Sequence, residues 1–247
     1  MNMEQRPGKK KRKRGPIEQV WRWIKGRRHG LNRFVARYST VGNPPVFDPA
    51  TFAWTQALEE NWEAIRDEAM TLIGGPKEVP SLGDVSPDHQ RLDKKRLWKT
   101  YFLWGYTYRA DGNCKRAPRT AELVDRIPGI ITALFSIHEP GTHLPRHRGV
   151  TKGMITCHLG LVIPSDPAKC KIAVEDEDYS WTPGKFFIFD DTYYHEVWNN
   201  TEQRRVILLI HIRRPLRGVG KWIESVFFSM IRMSPFVQRA RKNLEVA

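Results

Sequence analysis

The sequence predicts a mainly β protein, a sandwich or barrel of many short strands, with one N-terminal helix packed on it and basic, amphipathic ends. Three observations carry this. From Lys99 onward, short apolar runs are separated by turn residues at close intervals. Before them, one long segment has apolar residues at three- and four-residue steps. The charge is also uneven: the chain has a net charge of +14, yet residues 38–215 hold 22 basic and 23 acidic residues. The basicity belongs to the ends.

In chain order, residues 1–16 contain "RPGKKKRKRGP", a like-charge block without apolar residues, expected to be disordered. Residues 17–45 form a basic amphipathic segment in which Val20, Trp21, Ile24, Leu31, Phe34 and Val35 stand among Arg and Lys. The folded domain is expected over 46–215. It opens with a helix through "DPATFAWTQALEENWEAIRDEAMTLI", where Leu58, Trp62, Ile65, Ala69 and Leu72 repeat. Asp48 with Pro49 starts that helix and Gly74-Gly75 stops it. The strands are expected at "KTYFLWGYTY", "ITALFSIHE", "MITCHLGLVIP", "CKIAVED", "GKFFIFDD", "HEVWNN" and "RRVILLIHIRRP", with "EPGTH", "PSDPAK", "TPGK" and "NNTEQ" as turns. Residues 216–247 return to a basic helix.

No run of 18 apolar residues is present, so no membrane-spanning helix is expected. The charged N-terminus lacks the apolar core of a secretory signal. Cys114, Cys157 and Cys170 form an odd, sparse set with no CxxC, which fits a reducing compartment and argues against a zinc ribbon or a disulfide scaffold. The expected location is cytoplasmic, peripheral on the inner membrane face.

Candidate chemistry lies with the histidines. A lone histidine near a strand is most often a satisfied core or surface residue. His147 and His195, however, both stand where strands begin or end, and the Arg-rich strand "RRVILLIHI" follows the second. Two imidazoles brought together from non-adjacent strand ends suit a divalent iron with several positions left open. Asp190 and Asp191, beside a turn, are expected to bond backbone amides. Trp181 and Trp198 are expected in the core, Cys157 facing away from the site, and His138, His143 and His211 in structural or surface positions.

The stretch "DRIPGIITALFSIHEPGTH" with "HRG", "CHLGLVIP", "WTPGKFFIFDDTYYHEVW" and "RVILLIHIRRP" resembles the aspartyl/asparaginyl β-hydroxylases over residues 125–215. That resemblance implies a double-stranded β-helix, the jelly-roll or cupin-like barrel, using Fe(II), 2-oxoglutarate and O2. It implies His147 and His195 as metal ligands, Arg205 and Ser136 on the far carboxylate of 2-oxoglutarate, and His158 on the carboxylate nearer the metal. The usual third ligand of such oxygenases is a carboxylate two residues after the first histidine. Gly149 stands there, as in the aspartyl hydroxylases, where water completes the shell.

Two features bear on substrate. Family members usually carry Arg two residues before the histidine of "HLGL", where this chain has Thr156. "LEENWEAIRDEA", "RIPGI" and "RVILLIHIRRPLR" resemble the branch that hydroxylates membrane-lipid acyl chains, on lipid A or ornithine lipids. The preferred reading is therefore a lipid acyl hydroxylase that meets an anionic membrane surface. Aspartyl or asparaginyl hydroxylation of a protein or peptide is the alternative, and a non-catalytic membrane- or nucleic-acid-associated barrel the second. Nucleic acid is not the expected partner of the basic block. The ends, with Trp21, Trp23, Trp222, Phe227 and Phe228, are expected to touch lipid.

Overall fold

The computed structural model describes residues 30–85, 92–233, 237–238, 241 and 244. The block 1–16, and Trp21 and Trp23 of the next segment, lie outside these. The chain runs through a helix over 30–38 (α1), β1 (Val46–Phe47), a single 3-10 turn (Pro49–Thr51), α2 (Thr55–Glu59), α3 (Trp62–Ile73), α4 (Leu82–Val85), β2 (Trp98–Gly105) and β3 (Tyr108–Arg109). Then come α5 (Asp111–Cys114), α6 (Pro118–Asp125), β4 (Ile130–His138), β5 (Thr142–His147), β6 (Met154–Val162), β7 (Cys170–Val174) and β8 (Glu177–Tyr179). It finishes with β9 (Phe186–Phe189), β10 (His195–Asn199), β11 (Arg205–Arg213) and α7 (Val219–Met233).

From β4 to β11 the chain alternates between two antiparallel sheets, except for the hairpin β7–β8, both of whose strands lie in the smaller one. The larger is ordered β1-β9-β6-β11-β4-β2-β3 and the smaller β5-β10-β7-β8. This is the expected double-stranded β-helix. The central strands read as apolar on both faces because both faces are covered. Val206, Leu208 and Ile210 pack outward with Ile137, Cys157 and Leu159 against Ile65, Ala69 and Leu72 of α3 and Val124 of α6. Ile207 and Leu209 pack inward, with Leu134, against Leu144, Ile172, Val174 and Val197 of the smaller sheet. Period-two alternation then places Arg205 on the inner face, with its register partners His138, Ser136 (opposite Ile207) and His158 (opposite Leu209). Cys157 faces outward, as expected.

The helix expected from Asp48 to Ile73 is broken into three pieces. The Asp48 side chain caps only the 3-10 turn, accepting from the Ala50 amide at 2.9 Å. Phe52 then turns extended and Asn61 leaves helical geometry. The breaks let Trp54 meet Phe186 edge-on at 5.4 Å and let Glu59 accept the Phe186 amide at 2.9 Å, pinning the start of β9. The stretch "THLPRH", expected to continue a turn, is strand β5. Its alternation is weak because only Thr142 and Leu144 are buried.

The two ends also differ from expectation. Residues 30–45 are part of the folded body: Val35 is buried, Asn32 accepts the Lys152 amide at 3.0 Å, and Ser39 bridges to Leu216. On α7, Phe228 is buried beneath the Arg213 guanidinium, so it is not available to lipid. Val219, Trp222, Val226, Met230 and Met233 do form one exposed stripe, with Trp222 70% exposed.

Two measurements check this packing. A Cβ on Gly160 would lie 2.3 Å from the Thr182 carbonyl oxygen. Gly160→Ala is therefore expected to cost about 1–3 kcal/mol, seen as a Tm lower by about 2–4 °C per kcal/mol. Glu224 on α7 is buried with Oε1 unpartnered, and burial pushes its carboxyl up to about 7, against a smaller lowering by Arg213. Because the folded value lies above the unfolded one, its stabilising contribution is full below the unfolded value and is lost as pH rises toward 7. Glu224→Gln should raise Tm at pH 8 and change it little at pH 4; an equal change at both ends would contradict this.

Candidate active site

β5 ends on His147 and β10 begins on His195, and the antiparallel register sets the two residues opposite each other. Their ring centroids are 4.2 Å apart. His147 Nδ1 lies 2.8 Å from the Pro145 carbonyl oxygen and His195 Nδ1 3.0 Å from that of Tyr193. A carbonyl only accepts, so each Nδ1 carries the hydrogen and donates it, and the neutral form of either ring has its lone pair on Nε2. That is the tautomer a metal requires, fixed by backbone on both rings. Burial, then the neighbouring His147, lowers His195 to about 4, against a smaller raising effect of its bond to the Tyr193 carbonyl. His195 is thus neutral at pH 7.

Among the described residues no cluster of three or more His, Cys, Asp or Glu converges. Any metal held here would have these two imidazoles as its protein ligands. Gly149 supplies no carboxylate, and the space beside it is filled: a Cβ on Gly149 would lie 2.3 Å from the carboxyl of Asp191. Asp191 Oδ1 is buried without a hydrogen-bond partner. Burial and the adjacent Asp190 push this carboxyl up to about 7, partly opposed by Arg214 and Lys152. The expectation that both aspartates bond backbone amides therefore holds for Asp190, which accepts from the Thr192 amide at 3.0 Å, and is corrected for Asp191.

Deeper between the sheets lies Arg205, 1% exposed. Its Nη2 donates to Ser136 Oγ at 3.4 Å, its guanidinium stands 4.5 Å over the Trp181 ring, and its Nε has no partner. No described carboxylate pairs with it. Burial lowers it to about 10, so it stays charged at pH 7. Trp181 Nε1 donates to His158 Nδ1 at 3.2 Å, which leaves the hydrogen of neutral His158 on Nε2. Burial, then the Arg205 charge, pushes His158 well below its ordinary value. Phe189 links the two parts, with its ring 5.3 Å from His158 and 5.2 Å from His195.

The residues expected to form a site thus fall into a histidine pair at the strand ends and a pocket of Ser136, His158 and Arg205 on the inner face. An isolated buried cation is costly unless an anion joins it, so this cluster suits an anionic group. Sequence reading missed four participants. Trp181, expected only as core, orients His158. Trp98 donates to Ser136 at 2.9 Å. His138 is buried against Trp98 with neither ring nitrogen bonded. Asp191 is the fourth. Nothing in local spacing distinguishes them, although two adjacent aspartates before "TYYH" offered a signal for Asp191. Trp198 stacks on the exposed ring of His143 rather than entering the core.

The family model described as aspartyl/asparaginyl β-hydroxylase matches residues 59–215. The chain belongs to this family. It is 38% identical over 207 residues to an ornithine lipid ester-linked acyl 2-hydroxylase of Rhizobium tropici, covering 84% of this chain and 74% of that protein. It is 32% identical over 211 residues to the human aspartyl/asparaginyl beta-hydroxylase, covering 82% of this chain and 26% of that much longer protein. A Xenopus tropicalis aspartate beta-hydroxylase domain-containing protein 2 matches 48% of this chain and 34% of its own length at 32% identity. Family membership makes the protein a hydroxylase.

The unpaired guanidinium has a measurable consequence. Replacing Arg205 with Met keeps much of its volume and removes an uncompensated buried charge. Arg205→Met is expected to stabilise the ligand-free protein by about 1–4 kcal/mol, read as a higher denaturation midpoint. A lower midpoint would show that the fold itself needs the charge.

Proposed function

We propose that the protein is an iron(II)- and 2-oxoglutarate-dependent dioxygenase that hydroxylates an unactivated carbon in the acyl chain of a membrane lipid. The observation that carries this is the pairing of two histidines, both with Nδ1 turned to a backbone carbonyl, with a buried guanidinium that has no described anion of its own. His147 and His195 would hold the iron, leaving positions for 2-oxoglutarate and O2. Arg205, with the Ser136 hydroxyl, binds the far carboxylate, its fork matching that group. His158 donates its Nε2 hydrogen to the carboxylate nearer the metal, with its ring held by Trp181. Once bound, the iron and cosubstrate supply the oxidising power to insert one oxygen atom of O2 into a C–H bond. The Asp191 carboxyl beside Gly149 supplies a proton-holding group on the side where the sequence has no third ligand. Phe189 and the apolar inner faces keep water from the reacting carbon.

Lipid is preferred as substrate on two grounds. The Rhizobium relative acts on an ester-linked acyl chain by its name, and the match runs over 74% of its length. The second ground is α7. No helix among the described residues is long and apolar enough to cross a membrane, but the α7 stripe, with Lys221 and Arg217 nearby, suits an anionic lipid surface on the cytoplasmic side. Peptide hydroxylation is the second reading, favoured by the human relative. Against it stands Thr156, buried with an unpartnered hydroxyl where an arginine would greet a substrate carboxylate.

His147→Ala and His195→Ala should each abolish lipid-dependent succinate formation while the circular dichroism of the barrel is kept; full turnover in either removes it from the metal. Arg205→Ala should weaken 2-oxoglutarate binding by about 2–5 kcal/mol, measured calorimetrically. An unchanged affinity would place the cosubstrate elsewhere. For the surface, vesicle sedimentation should show preference for anionic over neutral lipid, reduced by Trp222→Ser with Met233→Ser. Equal binding to both vesicle types would leave peptide hydroxylation as the leading reading.

A further inference from the structure

A cavity of about 790 Å³ opens beside the histidine pair, between α1 and the loop joining β5 to β6. Its lining includes Arg33, Arg148, Gly149, Lys152, Glu175 and Tyr194. Arg148 directly follows His147, and Tyr194 directly precedes His195, so the cavity is joined to both histidines by single peptide links. It is separate from the Arg205 pocket, which lies on the inner face of the larger sheet.

The charges in this cavity do not balance. Lys152 is engaged with Asp190 at 2.6 Å, and the Glu175 carboxylate accepts the Tyr194 amide at 2.8 Å. Arg33 and Arg148 pair with no carboxylate among the described residues. The Arg148 guanidinium lies 4.9 Å, and that of Arg146 5.1 Å, from the Tyr194 ring centroid. Stacking of this kind holds a guanidinium in place without using its N–H donors. The wall carrying Arg33 is fixed, because Asn32 accepts the Lys152 amide at 3.0 Å and donates to the Val150 carbonyl at 3.4 Å. A guanidinium held by stacking, Arg148, and a second, Arg33, on the facing helix line one cavity and make a seat for an oxyanion.

Distance along the substrate supplies the rest. The Rhizobium relative is by its name an acyl 2-hydroxylase, and hydroxylation at that position in this protein would put the reacting carbon only a few bonds from the polar end of the lipid. The polar end must then be held beside the metal ligands while the tail runs away from them. Resting on the lipid reading above, we propose that this cavity receives the anionic group of the lipid headgroup, a carboxylate or a phosphate, with Arg33 and Arg148 as its cations. Glu175 offers an acceptor at the same site for a headgroup ammonium.

Binding of three twelve-carbon amphiphiles to the full chain, below their micelle concentrations, tests this without turnover. N-lauroylglycine presents a carboxylate, dodecyl phosphate a phosphate and monolaurin neither. The wild type should bind at least one anionic probe about tenfold more tightly than monolaurin, as about 1.4 kcal/mol from two partly screened cations gives. The tighter anionic arm tells an amino-acid headgroup from a phospholipid. Arg33→Met with Arg148→Met should abolish the preference while monolaurin affinity and Tm are kept. Equal wild-type affinity for all three probes, or a preference that survives in the double variant, overturns the proposal. So does an acidic peptide that displaces the probes at lower concentration than either anionic amphiphile needs. A wild type that shows the preference yet oxidises no lipid removes the lipid-hydroxylase reading while the oxyanion seat stands.

Discussion

The mouth of the barrel depends on one buried carboxylate. Asp190 and Arg214 are both fully inaccessible and meet at 2.6 Å, and Lys152 reaches the same oxygen at 2.6 Å. Through Arg214 the cluster also holds the Gly42 carbonyl at 2.9 Å and reaches Ser39. Through its other oxygen Asp190 shapes the Thr192 turn that delivers His195. One side chain thus ties the end of β9, the end of β11, the loop after His147 and the segment after α1. A buried ion pair of this kind is weak evidence for stability, but breaking it leaves a stranded charge at a cost of about 3–5 kcal/mol. Its value here is geometric, since it joins the loop after His147 to the turn before His195.

Arg205 is the same kind of side chain in the opposite state. Both arginines come from β11 or its end, and both are buried. Arg214 has its carboxylate within the fold, whereas Arg205 has a serine hydroxyl and an indole face. A fold that leaves a cation uncompensated is less stable than it need be, and such losses concentrate where a ligand completes the site. The pattern separates a charge that an internal carboxylate balances from one that no described carboxylate meets.

Gly149 and Asp191 make a similar point about position. The Asp191 carboxyl, from the chain before His195, fills the space beside Gly149, and a glycine is required there because any Cβ would occupy the same volume. The Gly149 amide donates to the Asp191 carbonyl at 2.6 Å and sets that arrangement at the backbone level.

Much of the architecture was legible in residue order. Strands β4, β6, β9, β10 and β11 could be read from apolar runs bounded by turns, because their burial is written into their composition. The histidine pair could be read too, since each residue stands at a strand end in a specific local motif. The amphipathic α7 was likewise visible from its periodicity. Other features were not. The broken first helix was hidden because its apolar period continues through breaks that β9 imposes, with Glu59 and Trp54 turned to meet Phe186. β5 was hidden because a strand half-exposed on a small sheet keeps little alternation. The fate of Phe228, the tautomer of His158 and the pairing of Gly149 with Asp191 rest on partners far away in the chain. Local patterning sets which segments bury apolar surface. Only closure of the two sheets decides which polar groups then find a partner, and it leaves Arg205 without a carboxylate among the described residues.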